Sequence, residues 1–267
     1  MTTIKSLQNL RGRRVLLTGA AGRLGLVMAD TLAELGADLI LVDMPGTDFS
    51  AIEKGLFERW SVNTESYGCD LELEDDRALL GDTVKTKYKS LNCLINNAAF
   101  VGSADLSGWA EPFEKQSLAT WRRAFEVNLT SAFHLSQIFT PLLRAGAGGN
   151  ILNITSIYGE YGPDWRMYEG SSMGNPAAYG TSKGGLAQLT RWLSTTLAPD
   201  IRANAISPGG IFRNQNKQFL KSYEARTPMQ RMATEDDFRG ALAFLATDMS
   251  NYVTGQVLRV DGGWGVW

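Results

Sequence analysis

The sequence predicts one α/β domain built on a doubly wound parallel sheet of about seven strands. Three observations carry that expectation. Short, nearly continuous apolar runs recur along the 267 residues, as expected of strands covered by helices on both faces. Longer helical patterns separate them, and repeated strand–helix–strand units give a parallel sheet with right-handed crossovers. No internal repeat, low-complexity tract or linker interrupts the chain, so residues 1–267 read as a single domain.

Taken in order, residues 14–18 (RVLLT) form the first strand, followed by a glycine turn and a helix to about Leu35. Residues 38–42 (DLILV) are the second strand, and a weaker third covers residues 67–71. Residues 92–95, 150–154, 202–206 and 256–260 supply the fourth to the seventh. Two stretches break the rhythm. Residues 44–66 are polar and read as a loop with a short helix. Residues 157–176 are aperiodic, and a loop this long inside a compact domain is functional or disordered. Its three tyrosines and one tryptophan argue against disorder.

Composition narrows the function. Apolar residues make up 44% of the chain, enough for a full core, and the net charge is −2. The basic residues are scattered, which excludes the electrostatic footprint of a nucleic-acid binder. No apolar run reaches the roughly 20 residues of a membrane span, and the N-terminus lacks a secretory h-region. A cytoplasmic protein is expected. Cys69 and Cys93 read as small core residues and His134 as structural; no ligand cluster suggests a metal.

The turn after the first strand is Thr18-Gly19-Ala20-Ala21-Gly22-Arg23-Leu24-Gly25 and runs straight into a helix. A dinucleotide pyrophosphate needs backbone amides at a helix N-terminus and a turn free of side-chain bulk, which Gly19, Gly22 and Gly25 supply. The second strand ends near Asp43, 18 residues after Gly25. A carboxylate there accepts ribose hydroxyls and repels a 2′-phosphate, favouring NAD. Arg23 argues the other way, since a guanidinium can meet a phosphate, so NADP stays open. Asp43 capping a turn before Pro45 is the plainer alternative.

Tyr179 and Lys183 stand four apart at the start of a helical pattern and share one face. A neighbouring ammonium favours phenolate, which predicts a lowered Tyr179 pKa and a usable general acid–base. With their surroundings these residues resemble the short-chain dehydrogenase/reductase family over essentially the whole chain. The matching pieces are Thr18 through Gly25, Asp70, Asn96-Asn97-Ala98, Asn128, Ser156, Tyr179 with Lys183, and Pro208-Gly209, all in the family's order.

The resemblance implies a Rossmann-like fold and a nicotinamide-dependent oxidoreductase. Tyr179 would exchange a proton with the substrate oxygen, Ser156 would orient that oxygen, and Lys183 would hold the ribose and tune the tyrosine. Asn128 would kink its helix and anchor a water relay. On the cofactor side it implies Thr18, Leu24 and Arg23 at the turn, and Asp70 with Leu71 at the adenine. Asn97, Ala98 and Ala99 would also contact the cofactor, with Pro208, Gly209 and Ile211 at the nicotinamide. Family members commonly form dimers or tetramers, which implies a homo-oligomer through the helix from about Trp121 to Leu143 and the helix after Tyr179.

The chain departs from the family at three single positions and in one interval. Arg23 stands where the motif has glycine, Ala99 replaces a glycine, and Arg213 occupies a common threonine position. The Ser156–Tyr179 interval is also about 10 residues longer than usual, an insertion whose entropy cost grows slowly with length. Tyr158, Asp164, Trp165 and Arg166 in that insertion, with Arg213, are the candidate substrate contacts, because rings and charges suit sugars and phosphates. The arrangement is similar to flagellin-modification or nonulosonic-acid-pathway oxidoreductases, which implies a sugar substrate. An oxoacyl or steroid-type reductase and a catalytically silent dinucleotide sensor are the alternatives. The terminal Trp264 and Trp267 are expected to pack on a neighbouring subunit or over the active site.

Overall fold

The computed structural model describes residues 2–102, 106–170 and 174–267. Seven strands, β1 (Arg14–Thr18), β2 (Asp38–Asp43), β3 (Thr64–Gly68), β4 (Cys93–Asn96), β5 (Gly149–Ile154), β6 (Ile201–Pro208) and β7 (Val257–Val260), form one sheet. Every pairing is parallel, in the order β3-β2-β1-β4-β5-β6-β7. The chain order reverses between β1 and β4. In an open parallel sheet that reversal leaves a crevice at the carboxyl ends of the strands, which is where ligands bind.

Among the described residues there are nine α-helices: α1 (Ile4–Leu7), α2 (Arg23–Glu34), α3 (Ser50–Trp60), α4 (Glu74–Lys87), α5 (Leu118–Phe125), α6 (Ser131–Ala145), α7 (Ala177–Leu197), α8 (Lys217–Arg226) and α9 (Arg239–Ala246). They sandwich the sheet. Val15, Leu17, Leu39 and Leu41 pack with Met28 and Leu32 of α2 and Leu242 of α9. The intervening Leu16, Ile40 and Val42 pack on the other face with Leu135, Phe139 and Leu193. Alternate residues thus enter opposite cores, which is why the strands read as continuous apolar runs.

Several expectations shift. The third strand is Thr64–Gly68, not residues 67–71. As an edge strand it is only half buried, so the apolar signal falls on the loop after it, where Cys69 and Leu71 are buried. The 44–66 stretch holds an 11-residue helix, α3, which buries Leu56 alone and so leaves little periodicity. The helix expected over residues 121–143 is interrupted by a π turn at Glu126–Thr130. The 157–176 loop contains single 3-10 turns at Ile157–Gly159 and Trp165–Met167, and its residues 171–173 lie outside the described residues.

His134 accepts a hydrogen bond from Arg77 Nε at 3.1 Å, the structural role expected of it. Both cysteines are free and buried. Among the described residues no helix is long and apolar enough to cross a membrane, and no cluster of metal-ligating side chains occurs. The chain end corrects the sequence expectation in part. Trp264 is fully buried within its own chain, against Tyr158, Tyr161 and Tyr223, while Trp267 is exposed and bonds Arg226 O.

Candidate active site

A cleft of about 980 Å³ opens over the carboxyl ends of β1, β4, β5 and β6. The glycine turn forms one end. Gly19 has φ +64°, and a Cβ there would lie 2.8 Å from Ala98 Cα. At Gly25 a Cβ would fall 2.0 Å from Gly19 O and 2.9 Å from Ala20 Cα. The obstructing atoms are backbone and have no rotamer to yield. Gly25→Ala should therefore cost about 2 kcal/mol of stability, as overpacking does, and weaken dinucleotide binding; thermal denaturation with and without NADH checks both. The open turn at the N-terminus of α2 has the shape a pyrophosphate requires.

The turn is held from beneath. Thr18, expected at the cofactor, is buried; its hydroxyl accepts from Asn97 N and Ala98 N at 3.1 Å and donates to Ile95 O at 3.3 Å. Asn97 Nδ2 donates to Thr18 O and Gly19 O, both at 3.0 Å. Thr18 thus fastens β1 to the end of β4 and leaves the cleft wall to Gly19, Gly22, Arg23, Leu24, Gly25, Asn97, Ala98 and Ala99. Asp43 ends β2, and its carboxylate accepts from Ala21 N at 2.8 Å and Met44 N at 2.9 Å. Asp70 and Leu71 line the same end, with Asp70 Oδ1 accepting from Glu72 N. One strand further in, Asn96 Nδ2 donates to Asn153 Oδ1 at 2.8 Å, tying β4 to β5 below the cleft.

Ser156, Tyr179 and Lys183 line the middle of the cleft. Ser156 follows β5, is buried, and accepts from Tyr158 N at 3.2 Å. Tyr179 and Lys183 come from the first turns of α7, where Lys183 Nζ donates to Ile154 O at 2.7 Å. Burial pushes the Lys183 ammonium down to about 8. Tyr179 departs from the sequence expectation: desolvation raises its pKa and outweighs the hydrogen bond from Ser156, which lowers it. The expected help from the lysine charge is not among the causes of the shift.

Asn128 sits in the π turn, where the extra residue turns it inward. Its Oδ1 accepts from Phe100 N at 2.6 Å, and its Nδ2 donates to Phe100 O at 3.3 Å and Ser182 Oγ at 3.0 Å. It therefore stands behind the cleft and clamps the residues after β4 to α7. At the far wall Pro208, Gly209 and Ile211 line the cleft. Gly210 N donates to the Tyr223 hydroxyl, and Gln215 Nε2 to Ile211 O at 2.9 Å.

The substrate candidates divide. Tyr158 and Arg213 line the cleft, Arg213 already paired with Glu235. Asp164, Trp165 and Arg166 do not. Asp164 caps the Trp165–Met167 turn and pairs with Arg166 at 2.7 Å and Arg226 at 2.9 Å, which holds its pKa near 2. Trp165 and Arg166 are exposed outside the cleft. The charged tip of the insertion thus ties the loop to α8. Residues that sequence reasoning missed stand in its place: Tyr168, Asn175, Phe219 and Tyr223 line the cleft. The tyrosine count in the loop was the available signal for Tyr168; nothing local marks Phe219 or Tyr223.

Comparison with known proteins bears on the assignment. The family model described as enoyl-(acyl carrier protein) reductase matches residues 19–265. This chain belongs to the short-chain dehydrogenase/reductase family. Post-translational flagellin modification protein A of Campylobacter coli is 28% identical, covering 96% of this chain and all of that one. The 7α-hydroxysteroid dehydrogenase of Escherichia coli K12 is 30% identical over 96% of each chain. A gluconate 5-dehydrogenase from Burkholderia cenocepacia, solved with NADP and tartrate, superposes with a TM-score of 0.87 at 25% identity, covering 99% of this chain and all of that one. The chain is thus an oxidoreductase of a family that binds NAD(P) and acts on small molecules.

Proposed function

We propose that the chain interconverts a secondary alcohol and a ketone, with Tyr179 as general acid–base. One observation carries this reading: Ser156, Tyr179 and Lys183 converge in the cleft that the glycine turn opens. The bound nicotinamide supplies or accepts the hydride; the protein positions and polarises. In the reducing direction the Tyr179 phenol donates its proton to the substrate oxygen, and Ser156 Oγ donates a hydrogen bond to the same oxygen. In the oxidising direction the proton returns to Tyr179. Lys183, anchored on Ile154 O, would hold the nicotinamide ribose hydroxyls beside that phenol. Asn128 holds the helix that carries both. A purified-protein screen of secondary alcohols and ketones, read by NADH fluorescence, tests the reading, and no hydride transfer with any of them would overturn it.

NAD is the proposed cofactor. Asp43 lies at the end of β2 beside the glycine turn, where its carboxylate would meet ribose hydroxyls and repel a 2′-phosphate. The NADP-bound gluconate 5-dehydrogenase shows that the other choice occurs among similar proteins. Titration of the protein should give NADH an advantage over NADPH of about tenfold, the scale of one unfavourable charge contact. Asp43→Ala should shrink that advantage. Tighter NADPH binding by the unmodified protein would reverse the assignment.

The substrate is proposed to be a sugar or sugar derivative. Its support now comes from hydroxyl-bearing rings inside the cleft, not from the Asp164–Arg166 tip. The apolar Trp109, Phe219 and Met232 that also line the cleft, with the 7α-hydroxysteroid dehydrogenase relative, favour a steroid-type alcohol as the second reading. The protein is also proposed to form homo-oligomers, since Phe133 of α6 and Trp192 of α7 are exposed on the helices expected to pair.

A further inference from the structure

We infer that Tyr158, Tyr168 and Asn175 form a hydroxyl-recognising subsite beside the reacting centre, and that the substrate is an uncharged polyol or its ketone. The inference rests on the alcohol–ketone reading above and names the substrate class for it. All three residues line the cleft that also holds Ser156 and Tyr179. Tyr158 is fixed next to the catalytic pair: its N donates to Ser156 Oγ at 3.2 Å. Its carbonyl presses on α7 so closely that a Cβ at Gly180 would lie 2.8 Å away.

The Tyr158 and Tyr168 hydroxyls are 2.6 Å apart, and Asn175 Nδ2 donates to the Tyr168 oxygen at 3.3 Å. Trp264 meets the Tyr158 ring edge-on at 6.2 Å, and Phe219 packs against Tyr168 at 5.5 Å. The polar atoms are therefore set before substrate arrives, as a selective site requires. Phenols donate and accept, and the Asn175 carbonyl accepts; together they match the donor–acceptor character of a hydroxyl group.

Charge decides between a neutral and an anionic ligand. Among the described residues, the charged groups lining the cleft are Arg23, Asp43 and Asp70 at the glycine-turn end, Lys183 anchored on Ile154 O, and Arg213 paired with Glu235. None belongs to the Tyr158–Tyr168–Asn175 network. A phosphate or carboxylate there would lose hydration without a counter-ion, which is costly, whereas a hydroxyl finds partners. The rings of Trp109 and Phe219 also line the cleft, and aromatic rings suit the C–H face of a sugar chain.

The test compares kcat/KM of the purified enzyme for tetritols, pentitols and hexitols, their phosphates, and monohydric secondary alcohols of matching length. The unmodified enzyme should prefer the best alditol over its monohydric counterpart by at least about tenfold, because a site built to bond a hydroxyl rejects the analogue lacking it. Asn175→Ala and Tyr168→Phe should each cut that preference about tenfold, mainly through KM. Asn175→Ala keeps the test valid if loss of the buried phenol impairs folding. A preference left intact in both variants, a preference for the phosphates, or better turnover of monohydric or steroid alcohols would overturn the subsite. Absence of hydride transfer with every alcohol and matching ketone would overturn the alcohol–ketone reading itself, so the two failures are distinguishable.

Discussion

Tyr179→Phe is expected to lower kcat by about a thousandfold, the scale of a lost general acid–base, while NADH binding changes by less than about twofold. The substitution removes one oxygen and keeps the ring. That ring packs beside Trp109, Ala124 and Ala178, so the wall of the cleft should stand. Ser156 Oγ keeps its bond from Tyr158 N, and Lys183 keeps Ile154 O, so neither neighbour is set loose. The loss should therefore appear in kcat and kcat/KM alike, the signature of an interaction made in the transition state. Stopped-flow turnover beside a fluorescence titration of NADH separates the two quantities. Wild-type turnover in this variant would move the proton transfer to another group.

How far the sequence revealed this site depends on what each residue has to do. Gly19 and Gly25 were legible because only glycine fits their contacts with Ala98 and Gly19 O, a constraint that leaves a mark in sequence. Tyr179 and Lys183 were legible because four positions on one helix fix their direction. Thr18 and Asn128 were legible as family positions, but their hydrogen-bond partners were not. Their types are right for the family position, yet Thr18 bonds Ile95, Asn97 and Ala98 and Asn128 bonds Phe100 and Ser182. Hydrogen-bond partners 28 to 80 residues away have no local signal.

The insertion shows the same limit from the other side. Asp164, Trp165 and Arg166 looked like ligand contacts by chemistry alone. Arg226, 62 residues later, captures the carboxylate and turns the charged tip into a brace against α8. Tyr168 and Asn175, chemically plainer, face the cleft instead. In the fold, strands with both faces buried were placed within a residue or two. The edge strand β3 was misplaced, because its half-buried Thr64, Glu65 and Ser66 are polar enough to read as loop.

Lys183 makes a second prediction, one that needs no substrate. Its pKa lies near 8 in the folded protein against 10.5 for an ordinary lysine, because burial strips water from the ammonium. Between those two values the unfolded chain binds a proton that the native protein does not, so stability rises with pH across the window. Below pH 8 the lysine is charged in both states, and the full cost of burying that charge is present. Above 10.5 it is neutral in both, and the cost is gone. The difference corresponds to about 3 kcal/mol. Cys69 and Cys93 oppose it: burial raises their thiols to about 11 and about 12 from 9, and groups raised on folding lose their contribution as pH climbs past 9. Stability should therefore rise from pH 8 to 9 and then turn down. Lys183→Met removes only the rising part, so the wild-type-minus-variant difference in unfolding free energy should grow steadily from pH 8 to 10.5. Denaturant unfolding at stepped pH measures it, and a flat difference would mean that Lys183 keeps its proton in the folded protein throughout that range.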